Sequence, residues 1–232
     1  MQFDTWEPVY RRILADFGYD RESDERARDV LADLVGPFDH ARLEFLDGAT
    51  VAVCGAAPTL GGELHVAREA DAVVAASTAA DVCREAGVDV DLLVTDLDKN
   101  PETARALTDS GVPVAAHAHG DNVGLVRDHV PTFAPEWTLP TTQAEPRGPV
   151  ENFGGFTDGD RAAFLADEFG AADLLFPGWA FDDPAVGDEK ARKLAWAERL
   201  LYWLERRRGE RFAVLDGRRD DIDTSVLPPE FR

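Results

Sequence analysis

The sequence predicts an α/β protein: a mostly parallel sheet flanked by helices, preceded by a small helical N-terminal unit. Three observations carry this. Residues 4 to 35 place apolar side chains at helical spacing. After "LDGAT" the pattern changes, and short β-branched runs alternate with helical segments. A length of 232 residues with 44% hydrophobic content is enough for one sizeable core, or for a core domain with a small accessory unit.

In the N-terminal unit, Trp6, Val9, Tyr10, Ile13, Leu14 and Phe17 repeat at helical intervals, the pattern breaks near Gly18, and Val30, Leu31 and Leu34 resume it until Gly36-Pro37. Residues 1–47 are expected to form this unit and 48–232 the α/β domain. The expected strands are "TVAVCG", "DAVVAAS", "DLLVT", "PVAAHAH" and "ADLLFPG". Between them, "STAADVCREAG" reads as a helix that stops at Gly87. Residues 131–152 are rich in proline and turn formers, with "EWTLPTT" the one plausible strand, and read as a long connection crossing the sheet edge. "TDGDRAAFLADEFG" predicts a helix with Asp158 or Asp160 near its N-cap, Ala162, Leu165, Ala166 and Phe169 on one face, and Gly170 as terminator. "DEKARKLAWAERLLYWLERRR" predicts a last helix whose basic end suits the negative pole of its dipole. "RFAVLD" is expected to add a final strand.

Acidic residues number 45 against 24 basic ones, for a net charge of −21, and they are scattered rather than gathered in a tail. With only three lysines (Lys99, Lys190 and Lys193), the composition resembles that of halophilic proteins, in which salt screens the self-repulsion. No basic face is visible for a phosphate backbone, which argues against nucleic acid as a partner. No stretch approaches the roughly 18 apolar residues of a membrane span, and the N-terminus lacks a signal-peptide core, so no membrane association and a cytoplasmic location are expected. Cys54 and Cys83 lack metal-ligand spacing and read as buried, reduced thiols. A homodimer is compatible with the sequence.

In an open parallel sheet, ligands collect beyond the carboxyl ends of the strands, and four segments fall there. In "VAVCGAAPTLGG", Gly55 follows a strand and Pro58, Gly61 and Gly62 keep tight a loop that either approaches a phosphate or nucleoside or is simply a sharp turn. In "DLLVTDLDKNP", Asp96 and Asp98 lie two apart at a strand end, where both could reach one hard cation; alternatively one of them caps a helix beginning near Pro101. In "HAHGDN", His117 and His119 share a face, but without a third soft ligand nearby, oxygen coordination through Asp121 is favoured over zinc. In "NFGGFTDGDRA", Gly154, Gly155 and Gly159 precede or open a helix beside Asp158 and the fixed cation Arg161, an arrangement suited to an anion. Lys190 and Lys193 stand on the first turns of the last helix. Together these residues point to metal-dependent phosphate chemistry on a nucleotide or similar ligand.

"GAAPTL", "LLVTDLDKNP", "HAHGDN" and "NFGGFTDGDRAAFLADEFGA", in this order, resemble the archaeal 6-hydroxymethyl-7,8-dihydropterin diphosphokinase (MptE-like) family, whose catalytic domain is related to the thiamine pyrophosphokinase fold. The resemblance spans residues 48 to 205, and it departs at Lys99 and Ala56, where glycine is frequent. It implies transfer of diphosphate from ATP to the hydroxymethyl group of the reduced pterin, releasing AMP, with the product serving folate or methanopterin-type cofactor biosynthesis. By the same resemblance Asp96, Asp98 and Asp121 hold Mg²⁺, and Arg161, Lys190 and Lys193 neutralise the transferred group. Gly55, Pro58, Thr59, Gly154, Gly155, Asp158 and Asn122 are expected near the nucleotide and its metal, and Ser77, Thr78, Asn152 and Phe153 near the pterin.

Three rival readings stay open. "LLVTDLD" superficially matches the nucleophile segment of haloacid-dehalogenase phosphohydrolases, although the customary Thr after it is missing. A catalytically silent nucleotide- or sugar-binding module of the same fold is a second, and a related glycan-transferring branch is a third.

Overall fold

The computed structural model describes residues 1–231. Its centre is a six-stranded, wholly parallel sheet in the order β5-β4-β3-β2-β1-β6. The strands are β1 (Thr50–Cys54), β2 (Ala72–Ala76), β3 (Leu92–Thr95), β4 (Val114–Ala118), β5 (Thr138–Thr142) and β6 (Asp173–Leu175). Between them run α3 (Leu60–Glu69), α4 (Ala79–Glu85), α5 (Pro101–Asp109), α6 (Val123–His129) and α7 (Asp158–Glu168), with α8 (Asp188–Arg208) at the end. The chain steps outward from β1 to β5, then returns through α7 to add β6 on the other side of β1.

Side chains alternate across the sheet with the period of two that a strand imposes. Val51, Val53, Val74, Leu92 and Val94 join a core with α7 and α8 that includes Trp6, Trp196, Trp203 and Phe164. Ala52, Val73, Ala75, Leu93 and Val114 join a second core on the opposite face, built with smaller side chains from α3 to α6. The N-terminal unit straddles the two. Helix α1 (Phe3–Phe17) gives Trp6, Val9, Tyr10 and Ile13 to the first core, whereas α2 (Arg21–Leu34) gives Ala27 and Leu31 to the second and packs on α6 and β5. Between them Gly18 takes the left-handed conformation (φ 70°) that ends α1, and Asp20 caps α2 by accepting from the Glu22 and Ser23 amides at 3.3 and 3.1 Å.

Three expectations change. "RFAVLD" is not a strand: Ala213–Leu215 is a 3-10 turn, because the Phe212 amide is taken by the Glu205 carboxylate (2.6 Å) and the short apolar run seats Phe212 and Leu215 in the core instead of on a sheet edge. Asp158 and Asp160 do stand at the amino end of α7, whose N-cap is Thr157 with Asp160 as its partner in a capping box. This helix is also buried more completely than a one-faced helix, taking in Ala163 and Phe164, since it lies between the sheet and α8. Gly61 and Gly62 belong to the first turn of α3, not to the loop before it. Residues 131–152 do contain the one strand foreseen, and it forms the sheet edge.

Candidate active site

A cavity of about 790 Å³ opens over the carboxyl ends of β3 and β4. It is walled by Asp96, Asp98 and Lys99 after β3, by His119, Gly120 and Asp121 after β4, by Thr157, Asp158 and Arg161 of α7, by Lys190 and Lys193 of α8, and by Tyr19 and Asp24 of the N-terminal unit. All six residues expected to be catalytic therefore line one space.

The turn after β3 explains how both of its aspartates reach the cavity. Leu97, buried between them, adopts φ 69°, a conformation that β-carbon contacts make rare outside glycine. Its amide is held by Thr95 Oγ1 at 3.0 Å, and the Asp98 amide by Asp96 Oδ1 at 3.3 Å. With Leu97 turned into the second core, Asp96 and Asp98 both face the cavity as neighbours. Burial raises the Asp98 carboxyl and the neighbouring Asp96 raises it further. Burial acts on Asp96 in the same direction, but hydrogen bonds to His119 and Asp98 outweigh it and hold Asp96 well below the usual carboxylate range.

His119 bridges two of the acids: Nδ1 is 2.6 Å from Asp121, and Nε2 is 3.5 Å from Asp96. Burial opposes its charge, yet these two partners raise it to about 9, so it is an imidazolium at neutral pH. The same contact lowers Asp121 to about 2. Asn122 is buried and ties the two loops together, accepting from the His119 amide (3.0 Å) and donating to the carbonyls of His117 (2.7 Å) and Asp96 (2.9 Å). His117 bonds Thr141 through Nδ1 (3.0 Å) and is kept neutral, chiefly by burial.

The amino ends of α7 and α8 both face the cavity, and a helix amino end favours an anion. Arg161, buried on the first turn of α7, sends Nη1 to Asp158 (3.1 Å) and Nη2 to Gln143 Oε1 (3.1 Å). Its Nε has no partner among the described residues. Gly155 (φ 91°) makes room for it: a β-carbon there would stand 2.6 Å from the Arg161 backbone. Asp158 is pushed up to about 7, first by burial and next by the Asp96 charge. Burial, then Lys99, lowers Lys190, whereas Lys193 is raised, its partial burial being outweighed by Glu189 at 3.2 Å.

Other expected residues stand elsewhere. Pro58 and Thr59 line a second hollow with Trp179 and Phe181. Gly55 is required by packing, since a β-carbon would come within 2.4 Å of the Gly178 carbonyl oxygen. Ser77 (φ 52°) and Thr78 lie at the end of β2, outside the cavity lining, with the Ser77 carbonyl taken by Asn100 at 3.2 Å. Asn152 holds the Ala144 carbonyl and the Gly154 amide at 2.8 Å each, and Phe153 packs edge-on against Phe169 in the core. Sequence reasoning missed His119 as a clamp on the acids, and missed Tyr19, Asp24, Gln143 and Phe156. A signal for Asp24 existed: it falls on the same helical stripe as Ala27 and Leu31, where a carboxylate needs a reason to be buried.

Among the described residues, no three His, Cys, Asp or Glu side chains form a ready-made coordination shell. The donor chemistry nevertheless fits a hard divalent cation. The Asp96 charge raises both Asp98 and Asp158, and a cation among the three carboxylates would relieve that repulsion.

The family described as 6-hydroxymethylpterin diphosphokinase MptE-like matches residues 28–184. A Methanothermobacter thermautotrophicus protein named 6-hydroxymethyl-7,8-dihydropterin pyrophosphokinase is 36% identical over 225 residues, covering 89% of this chain and 96% of the relative. A Pyrococcus furiosus protein of the same name is 36% identical over 224 residues (88% and 95% covered), and one from Methanocaldococcus jannaschii 29% identical over 233 residues (88% and 96%).

Proposed function

The chain belongs to the MptE-like 6-hydroxymethylpterin diphosphokinase family, and from that membership we propose that it transfers diphosphate from ATP to the hydroxymethyl oxygen of 6-hydroxymethyl-7,8-dihydropterin, releasing AMP. The observation that carries the reading is the meeting of Asp96, Asp98 and Asp121 with Arg161, Lys190 and Lys193 around one cavity, in a protein whose net charge of −21 would otherwise repel a polyphosphate. Membership leaves the haloacid-dehalogenase alternative without support, and relatives named as pyrophosphokinases favour an active enzyme over a silent binding module.

In this reading Asp96, Asp98 and Asp121 hold Mg²⁺. Bound there, the cation supplies charge neutralisation for the polyphosphate oxygens. Arg161, fixed by Asp158 and Gln143, lines the cavity and brings its positive charge to the transferred group, while Lys190 and Lys193 add positive charge from the side of α8. Imidazolium His119 holds Asp96 and Asp121 apart from each other's charge. Catalysis then consists of alignment and electrostatic stabilisation, with no covalent enzyme intermediate. The pterin stacks against Tyr19 or Phe156, whose rings line the cavity, and not against Phe153, which the core holds. The product feeds folate or methanopterin-type cofactor synthesis.

The test is direct. Purified protein incubated at high salt with ATP, Mg²⁺ and the reduced hydroxymethylpterin should form AMP only when the pterin is present. ADP as the product, or phosphate release without an acceptor, refutes the reading.

A further inference from the structure

We propose that Asp24, on the second helix of the N-terminal unit, is a positioning residue for the transfer site: it sets the place of Arg161 and of the His119–Asp121 loop at once. The assignment rests on the reading of this cavity as the diphosphate-transfer site.

Asp24 is 3% exposed, and an ionisable side chain that deeply buried must have its oxygens occupied. Oδ1 accepts from the Gly120 amide at 2.7 Å, so one carboxylate oxygen pins the loop that carries His119 and Asp121. Oδ2 accepts from Tyr10 Oη at 2.7 Å and from Gln143 Nε2 at 2.8 Å. Those contacts fix how the Gln143 amide lies: with its nitrogen given to Asp24, its oxygen must face the other way, and there it accepts from Arg161 Nη2 at 3.1 Å. Arg161 completes the chain at Asp158.

The backbone around this chain is equally determined. Gln143 is itself 3% exposed, and its carbonyl accepts from Trp6 Nε1 at 2.9 Å, so α1 as well as α2 braces it. Tyr10 is locked as a donor, because burial and then the Asp24 charge push its phenol far above the ordinary value. Gly120 approaches so closely that a β-carbon would stand 2.9 Å from Ser23 Cβ and 3.3 Å from Asp24 Oδ1. The two helices are thus joined to the cation-bearing and anion-bearing sides of the cavity through one carboxylate. Buried hydrogen-bond chains act as units, and a displacement of about 1 Å in such a unit can lower turnover by about 100-fold.

The experiment compares Asp24→Asn with the double variant Asp24→Asn/Gln143→Glu. The asparagine alone presents an N–H where Gln143 already donates, which turns the Gln143 amide over and removes the acceptor facing Arg161. In the double variant the asparagine at position 24 keeps an oxygen for Gly120 and gives its N–H to the new carboxylate at position 143, whose second oxygen accepts from Arg161. The charge moves from one position to the other while the links to Gly120, position 143 and Arg161 survive; Tyr10, freed from the Asp24 charge, turns to accept the second N–H of the asparagine. Turnover per folded molecule, KM for ATP and for the pterin, and Tm are measured for each, together with a crystal structure of the single variant. Expected are a kcat fall of about 10–100-fold in Asp24→Asn beyond what its folded fraction explains, displacement of Arg161 or the Gly120 loop, and recovery to within a few-fold in the double variant. An Asp24→Asn protein with lowered Tm but unchanged kcat per folded molecule overturns the proposal. So does a folded double variant no better than the single one, or a structure with Arg161 and Gly120 unmoved. If the wild-type protein itself releases no AMP, the reading of the reaction fails, while the crystal structure still decides whether Asp24 sets Arg161.

Discussion

The carboxyl ends of β3 and β4 and those of β1 and β2 carry equally suggestive sequences, yet the fold treats them differently. After β3 and β4, the charged groups Asp96, Asp98, His119 and Asp121 face a cavity, and their main contacts are with one another. After β1, the loop is turned into the protein. The Gly55 amide donates to Pro177 (2.9 Å), the Ala57 amide to Gly178 (2.9 Å), and the Trp179 indole to Val53 (2.8 Å). A glycine loop that gives its Gly55 and Ala57 amides to the protein has fewer donors left for a phosphate, whereas charges crowded around an open space call for a ligand. The separation between structural and chemical strand ends lies in where hydrogen-bonding capacity is left over.

The sharpest way to break this contrast is at the acids. Asp96→Asn and Asp98→Asn should each keep the fold and lower kcat by about 100- to 1,000-fold, the scale of removing one electrostatic contact to a reacting group. Near-wild-type turnover for either, titrated across Mg²⁺ concentrations, would mean that the β3 turn is not where the metal is held. Next in size is Arg161→Lys. Lysine keeps the charge but cannot send separate N–H groups to Asp158 and Gln143. A kcat loss of about 10–100-fold is expected, with KM for the pterin changed far less. An equal rise in KM for both substrates with kcat intact would instead make Arg161 a simple binding cation.

Much of this was legible in the sequence, and the rest was not for identifiable reasons. The alternation of β-branched runs and helices gave the parallel sheet, and α8, Asp188–Arg208, was readable over its whole length from apolar spacing and basic residues alone. The acids at 96, 98 and 121 were found because a strand's end can be read locally. Asp24 and Gln143 could not be assigned a role that way, since their meaning comes from a contact spanning 119 positions of chain. The glycines of "VAVCGAAPTLGG" and "NFGGFTDGDRA" left two readings, a turn or a ligand loop, for a shared reason. Gly55, Gly155 and Gly159 are small because Gly178, Arg161 and Trp179 respectively press on them, and sequence does not distinguish room for a neighbour from room for a ligand. The "RFAVLD" run failed as a strand because the Glu205 carboxylate, at the end of α8, takes the Phe212 amide.

The smallest effects test the other half of the contrast, the claim that the β1 end is structural. Gly55→Ala places a methyl group against the Gly178 carbonyl and the Trp179 ring, so overpacking should lower stability by about 1–3 kcal/mol. For a chain of this length that is a Tm decrease of roughly 2–12 °C, with kcat per folded molecule unchanged. Thr59→Ala, at the rim of the neighbouring hollow and without a side-chain cap bond to α3, should change Tm and kcat least of all. The two variants discriminate as a pair. If Thr59→Ala raises KM for ATP several-fold while Gly55→Ala leaves it alone, the hollow lined by Pro58, Trp179 and Phe181 takes part in holding the nucleotide, and the β1 end is chemical after all. If Gly55→Ala changes only the melting curve and Thr59→Ala changes nothing, the loop's glycine exists to let Trp179 close over β1, and the chemistry stays with β3 and β4.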